Sequence, residues 1–192
     1  MAWDLEFVVP RSPEQHDAIS DDEDEAVEND DKTIFLFSQP VATSVQHIAW
    51  AAGPLHVHTI PADLSAAEDA SGTTQSLMTA FCLLGHESYL TSTVSFMHSA
   101  MSLYVTEFGS YPLGSYKLVF VEKLPTQRYD AATLSLVTVD MLHGEHAINQ
   151  IYQARHALSH ALACQWIEAT IQEKMWFDTW LVKGLGLDIA GL

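Results

Sequence analysis

The residues whose spacing could do chemistry lie between His160 and Gly184, in the segments HALACQW and WFDTWLVKG. On a helix, two histidines four residues apart share one face and can hold zinc. In HExxH the glutamate beside the first histidine is the general base. Here the spacing is kept and the residue types are changed. His160 stands at the first ligand position, Ala161 where the base would be, and Cys164 where the second histidine would be. A catalytic zinc needs three protein ligands and one open position, so a third donor must come from further along the chain.

The surrounding residues narrow the comparison. Gln165 and Trp166, then Trp176, Asp178, Trp180, Leu181 and Gly184, fall in the places of the QW and WWNDLWLNEG signatures. In these the chain resembles the M1-type zinc aminopeptidases. The resemblance puts the third ligand, a glutamate in that family, at Lys183. A WLxKG segment in place of WLNEG is similar to the catalytically dead M1 homologues found among the subunits of the general transcription factor TFIID. The similarity runs from about Thr33 to Leu192.

A second stretch carries the same message. Active family members hold the free amino group of the substrate with the glutamate of GAMENWGLVTY, on an edge strand. Anchoring on Leu136, Val137 and Thr138 sets Tyr129 to Thr133 over GAMEN, so Ala132 falls where that glutamate would be. A methyl group cannot neutralise an α-ammonium. Asp130 shares a strand face with Ala132 but sits one pleat repeat away, so it is not expected to substitute.

On this reading the metal positions His160, Cys164 and Lys183 and the catalytic positions Ala132 and Ala161 are all degenerate. A lysine ammonium about 4 Å from a divalent cation is repelled by roughly 8 kcal/mol at an effective dielectric near 20. No metal or other cofactor is expected, and no base is present at position 161 to activate water. Two other histidine pairs compete. His156 and His160 are also four apart, yet that register has no glutamate at Ala157 and would reach Thr179 as third ligand. His56 and His58 alternate along one strand face, where polar surface residues are far commoner than metal ligands.

The resemblance implies an α+β fold. The end of an N-terminal β-sandwich-like domain would be followed by a thermolysin/M1 aminopeptidase-like domain truncated at its C-terminus. It divides the chain into a β-rich part over 1–61, a small polar linker over 62–76 and the M1-like part over 77–192. An acidic loop over 21–31 interrupts the first part.

Composition supports a globular chain. Of 192 residues, 48% are hydrophobic, and the formal charge is −17. Residues 1–31 hold twelve acids and one arginine, eight of the acids within 21–31. Such a block repels itself and buries too little apolar area to order, so it is expected to be a solvated loop. The average field of so acidic a chain does not favour nucleic acid. No apolar run is long enough to cross a membrane, and no signal peptide is present. Cys82 and Cys164 are isolated, which suits a reducing compartment.

The elements that would position these residues follow from periodicity. Residues 1–10, Thr33 to Phe37, Val45 to Ala52 and Leu55 to Ile60 read as strands, the last two around a turn at Gly53-Pro54. Leu90, Val94, Met97, Met101, Tyr104 and Phe108 form one apolar face of a single helix capped by Gly109. Tyr116 to Val121 reads as a strand. Residues 147–171 read as a long helix burying Ile148, Ile151, Tyr152, Leu158, Leu162, Trp166 and Ile167. Trp176 to Leu192 begins a second helix, and Trp180 and Leu181 are expected to pack it onto Leu162 and Trp166 in place of a metal tie.

The function implied by the resemblance is that of a non-catalytic subunit of TFIID. It would act as a scaffold and in engaging core-promoter DNA during RNA polymerase II initiation, in the nucleus and with no membrane partner. TBP-associated factors 1 and 8 are the implied partners. The DNA contact is expected to run through parts of the protein or complex outside this chain. Two alternatives stand beside it: a working M1 zinc aminopeptidase, and a pseudoenzyme that binds peptides in the old cleft.

Overall fold

The structure is a computed structural model that describes residues 3–10, 32–39, 42–60, 77–171 and 173–191. The acidic segment 21–31 and the linker 62–76 lie outside the described residues. The chain divides into two compact units, Met1–Ala42 and Thr43–Leu192. In the first, β1 (Trp3–Pro10) pairs antiparallel with β2 (Lys32–Gln39), from Trp3 opposite Gln39 to Pro10 opposite Lys32.

The second unit is built on a five-stranded mixed sheet in the order β3-β4-β5-β7-β6. Its strands are β3 (Leu55–Thr59), β4 (Leu77–Leu83), β5 (Ser115–Val121), β6 (Arg128–Ala131) and β7 (Leu134–Thr138). β4, β5 and β7 run parallel, and β3 and β6 close the two edges antiparallel. Tyr116, Leu118, Val119 and Phe120 of β5 are all buried, as a central strand covered on both faces requires. The strand expected at 55–60 is present as β3 and pairs with β4 inside the second unit.

The strand expected over Val45 to Ala52 is not there. Val45–His47 is a 3-10 turn, followed by irregular chain. The His47 and Ile48 amides bond back to the Ser44 and Val45 carbonyls, and the Ser44 hydroxyl meets His47 Nδ1 at 3.2 Å. These local bonds satisfy the backbone without a ladder.

The single helix expected from Leu90 to Phe108 is two: α1 (Glu87–Val94) and α2 (Met97–Phe108). Its apolar stripe was read correctly at Leu90, Val94, Met97, Met101 and Tyr104, all buried; Phe108 is exposed. The break has a local cause. Thr91, Ser92, Thr93 and Ser95 each turn a hydroxyl onto a carbonyl three or four residues back. Such bonds compete with the helix ladder and bend it. Gly109 ends α2 at φ +88°, with its amide on the Val105 carbonyl.

The long helix, α3 (Asn149–Trp166), stops five residues earlier than expected. Beyond Trp166 the ladder widens, and the Ala169 amide reaches the Cys164 carbonyl at 2.9 Å. Leu158, Leu162 and Trp166 are buried as expected, whereas Ile148 and Tyr152 near the first turn are 78% and 75% exposed. A 3-10 turn at Trp176–Asp178 leads into α4 (Thr179–Ala190).

α4 packs on α3 through a different face from the one expected. Its buried residues are Val182, Gly186, Ile189 and Ala190, while Trp180 is 73% exposed and Leu181 48%. Trp180 lies two residues before Val182, about 200° around the helix, so burying one stripe exposes the other. Trp166 packs instead against the edges of Tyr104 and Tyr111, with ring centroids at 5.8 and 5.2 Å.

Candidate functional site

Three donor side chains meet where α3 faces α4. His160, Cys164 and Glu168 follow one another at steps of four along α3 and its widened last turn, so they share one face. Their ligand atoms lie within 4.8 Å of one another. Gly186 of α4 lies over them. A Cβ there would stand 3.3 Å from Glu168 Oε1, 3.6 Å from His160 Nε2 and 3.9 Å from Cys164 Sγ, so α4 approaches this closely because position 186 has no side chain.

Two cations flank the cluster, one from each side. Arg128 on the edge strand β6 donates from Nη2 to His160 Nδ1 at 2.9 Å, from Nη1 to the Ala157 carbonyl at 2.6 Å, and from Nε to Asp130 Oδ2 at 2.6 Å. Lys183 on α4 pairs with Glu168. Lysine at the third-ligand position thus has a partner that sequence reasoning did not name. The Glu168 side chain is 8% exposed, and the pair matters mainly by leaving no buried carboxylate unpaired.

Whether these residues suit zinc can be read from their hydrogen bonds. Guanidinium only donates. His160 Nδ1 must therefore accept, and the neutral ring carries its proton on Nε2. That is the nitrogen aimed at the Cys164–Glu168 side, and it has no hydrogen-bond partner among the described residues. A metal ligand needs the opposite tautomer, with a lone pair toward the ion and an N–H toward an outer acceptor. Burial pushes the Cys164 thiol well above its ordinary value, so the metal-free protein carries it protonated. Burial, and then the neighbouring Arg128, lower the His160 pKa and keep the ring neutral. With the His160 proton on Nε2 and Lys183 on Glu168, two of the three donors are turned away from a metal. The arrangement does not fit zinc. Ala161, beside His160, is fully buried and offers no base.

The remaining positions are placed as follows. Ala132 is buried at the first position of the two-residue turn between β6 and β7, and Thr133, at φ 69°, is the second. Asp130 Oδ2 accepts from Arg128 Nε at 2.6 Å, and its buried Oδ1 has no hydrogen-bond partner among the described residues. His156 is exposed and lies outside the donor cluster, and His56 and His58 are half-buried on the edge strand β3, far down the order of strands from β6.

Gln165 is fully buried and fixes the turn that carries Ala132. Its Oε1 accepts from the Thr133 amide at 2.9 Å and from the Tyr111 hydroxyl at 3.3 Å. Its Nε2 donates to the Ala131 carbonyl at 2.9 Å. The glutamine of the QW pair is thus a bracket between α3 and the edge hairpin, and Trp166 beside it closes the aromatic core.

No protein-family model matches the chain. Among curated proteins, TFIID subunit 2 of Schizosaccharomyces pombe is 33% identical over 162 residues, which is 84% of this chain and 14% of that protein. TFIID subunit 2 of Drosophila melanogaster is 38% identical over 116 residues, 60% of this chain and 10% of that protein. The Danio rerio protein of the same name is 29% identical over 194 residues, 99% of this chain and 15% of that protein. The chain is related to TFIID subunit 2. It spans 10–15% of the length of these relatives. Among solved structures, an M1 zinc metallopeptidase from Deinococcus radiodurans superposes with a TM-score of 0.59 at 17% identity, over 98% of this chain and 37% of that one. Legionella pneumophila aminopeptidase A superposes with a TM-score of 0.60 at 16% identity, over 72% of this chain and 16% of that one. At such identities the likeness shows the fold alone. That fold is α+β and M1 aminopeptidase-like, of which the chain holds a part.

Within the stretch shared with TFIID subunit 2, two members of the polar cluster had no signal in the motif reading. Glu168 is four residues beyond Cys164 and was visible by helical spacing, but the third ligand was sought in the second helix. Arg128 is 32 residues from His160 and comes from another element, so no local pattern could have paired them.

Proposed function

We propose that this chain belongs to a non-catalytic subunit of TFIID, in which an M1 aminopeptidase-like scaffold serves assembly and core-promoter engagement rather than hydrolysis. The observation that carries this is the relation to TFIID subunit 2 proteins of fungi and animals. The electrostatics of the cluster support it. The places of base and ligands hold Ala161, Cys164 and Lys183, and Arg128 and Lys183 supply fixed positive charge where a peptidase would use a metal. The edge turn has Ala132 in place of an amino-group anchor. On this reading the site holds neither metal nor cofactor, and the protein acts in the nucleus beside TBP-associated factors 1 and 8. Core-promoter DNA is met by other parts of the protein or complex, since the chain carries only eight lysines and arginines against 25 acids.

The M1 fold and the meeting of three donor side chains favour an aminopeptidase, and the changed residue types weigh against it. Affinity purification of the tagged protein from nuclear extract, with mass spectrometry of what comes with it, separates the readings. We expect TBP and TBP-associated factors, including 1 and 8, in stoichiometric amounts. Recovery without any TFIID subunit contradicts the assignment.

A further inference from the structure

The edge strand β6 is the last strand of its sheet, and its side chains reach the polar cluster through Arg128. An exposed strand edge beside a cluster of polar groups is the natural docking line for an extended peptide, which would add to the sheet through its backbone. Here the chain itself lies along that line. Tyr129 of β6 donates its hydroxyl to the Gln46 carbonyl at 2.6 Å, and the Ala132 amide donates to the His47 carbonyl at 2.8 Å. The segment is held in shape by its own 3-10 turn and by the Ser44–His47 contact, and Thr43 at its start is 3% exposed. Burial lowers the pKa of the half-buried His47 ring, and the charges that act on it include Glu168 and Lys183 of the cluster.

We propose that Thr43–Trp50 is an intramolecular strap that lies against β6 and the turn after it and closes the polar cluster to peptides. Three features make it more than a passing contact. It is held at two points of the edge hairpin, at Tyr129 in β6 and at Ala132 in the turn. It uses the amide at the very position where the amino-group anchor is replaced by alanine. The hairpin turn it grips is itself braced from behind by Gln165. Partner binding by this part of the molecule must then use surfaces other than the old cleft. The inference rests on the reading of the cluster as catalytically silent and sharpens it by removing the peptide-binding alternative.

Two substitutions loosen the strap without touching the cluster. Tyr129→Phe deletes one hydroxyl and keeps the ring. Ala132→Pro deletes one amide hydrogen. Positive φ only at the second turn residue marks a type II turn, whose first position suits proline. Hydrogen exchange of the protein reports the outcome. In the double variant the His47 and Ile48 amides should exchange at least about tenfold faster through local opening, with the β7 amides of Leu134–Thr138 unchanged as the control for folding. Tyr129→Phe alone should move them in the same direction. A tripeptide, Ala-Ala-Ala with a C-terminal fluorophore and a free amino group, should show no binding to the parent and measurable binding to the double variant. Unchanged strap exchange in the double variant overturns the proposal. So does tripeptide binding by the parent equal to that of the variant. Binding by the parent without cleavage overturns the strap alone, whereas cleavage by the parent overturns the non-catalytic reading as well.

Discussion

Restoring the peptidase residues in the triple variant Ala161→Glu, Cys164→His and Lys183→Glu is expected to destabilise the metal-free protein. Ala161 is fully buried and Cys164 is 2% exposed, so two of the changes insert larger polar groups into filled space. Each imperfectly paired buried group costs about 1–3 kcal/mol, and overpacking adds about 1–3 kcal/mol. The third change removes the cation on Glu168 and sets a second carboxylate beside it, so two like charges face each other where a pair stood. A total near 4 kcal/mol corresponds to a melting temperature lowered by about 10 °C for a chain of this size. Thermal melts in chelator measure it. A melting temperature equal to or above that of the parent would show the site to be open and solvated, contrary to the burial described above.

Gln165→Ala should be the most damaging single substitution near the site. The side chain is fully buried and makes three hydrogen bonds, to the Thr133 amide, the Ala131 carbonyl and the Tyr111 hydroxyl. Alanine leaves all three without their partner and opens a cavity. The unsatisfied groups cost about 1–3 kcal/mol each where water cannot reach them, and we expect a loss of about 3 kcal/mol in all, since part of the turn can relax toward solvent. Chemical denaturation gives the value. The loss should come with faster amide exchange in the hairpin of β6 and β7. A variant within about 0.5 kcal/mol of the parent, the range of ordinary surface changes, would contradict the bracket role.

The sequence showed some parts of this structure and hid others, for physical reasons. The apolar stripe of α1 and α2 was legible because burial of one face imposes period 3.6 on side chains, and strand β5 because its short run YKLVFV is rich in aromatic and aliphatic residues. The break between α1 and α2 was not legible in that stripe, because it comes from hydroxyls on the other faces of the helix. β4 was missed. Its run LMTAFCL is apolar but for Thr79 and does not alternate, a pattern that a central strand shares with a buried helix segment. The face of α4 was misread by weighting tryptophans as core. Val182, Gly186 and Ile189, at the same helical spacing, include a glycine that carries no hydrophobic signal at all. In the site, His160 and Cys164 were named from the helical spacing of the HExxH frame and Lys183 from the family resemblance. What those residues do became clear only with Arg128 and Glu168, because hydrogen-bond direction decides which nitrogen of His160 holds the proton.

The central claim is that protein cations, not a metal, organise the cluster at His160, Cys164 and Glu168. Elemental analysis of the protein after incubation with zinc and desalting tests it most directly. The account predicts clearly substoichiometric zinc. One zinc bound per chain, and lost on His160→Ala, would contradict it.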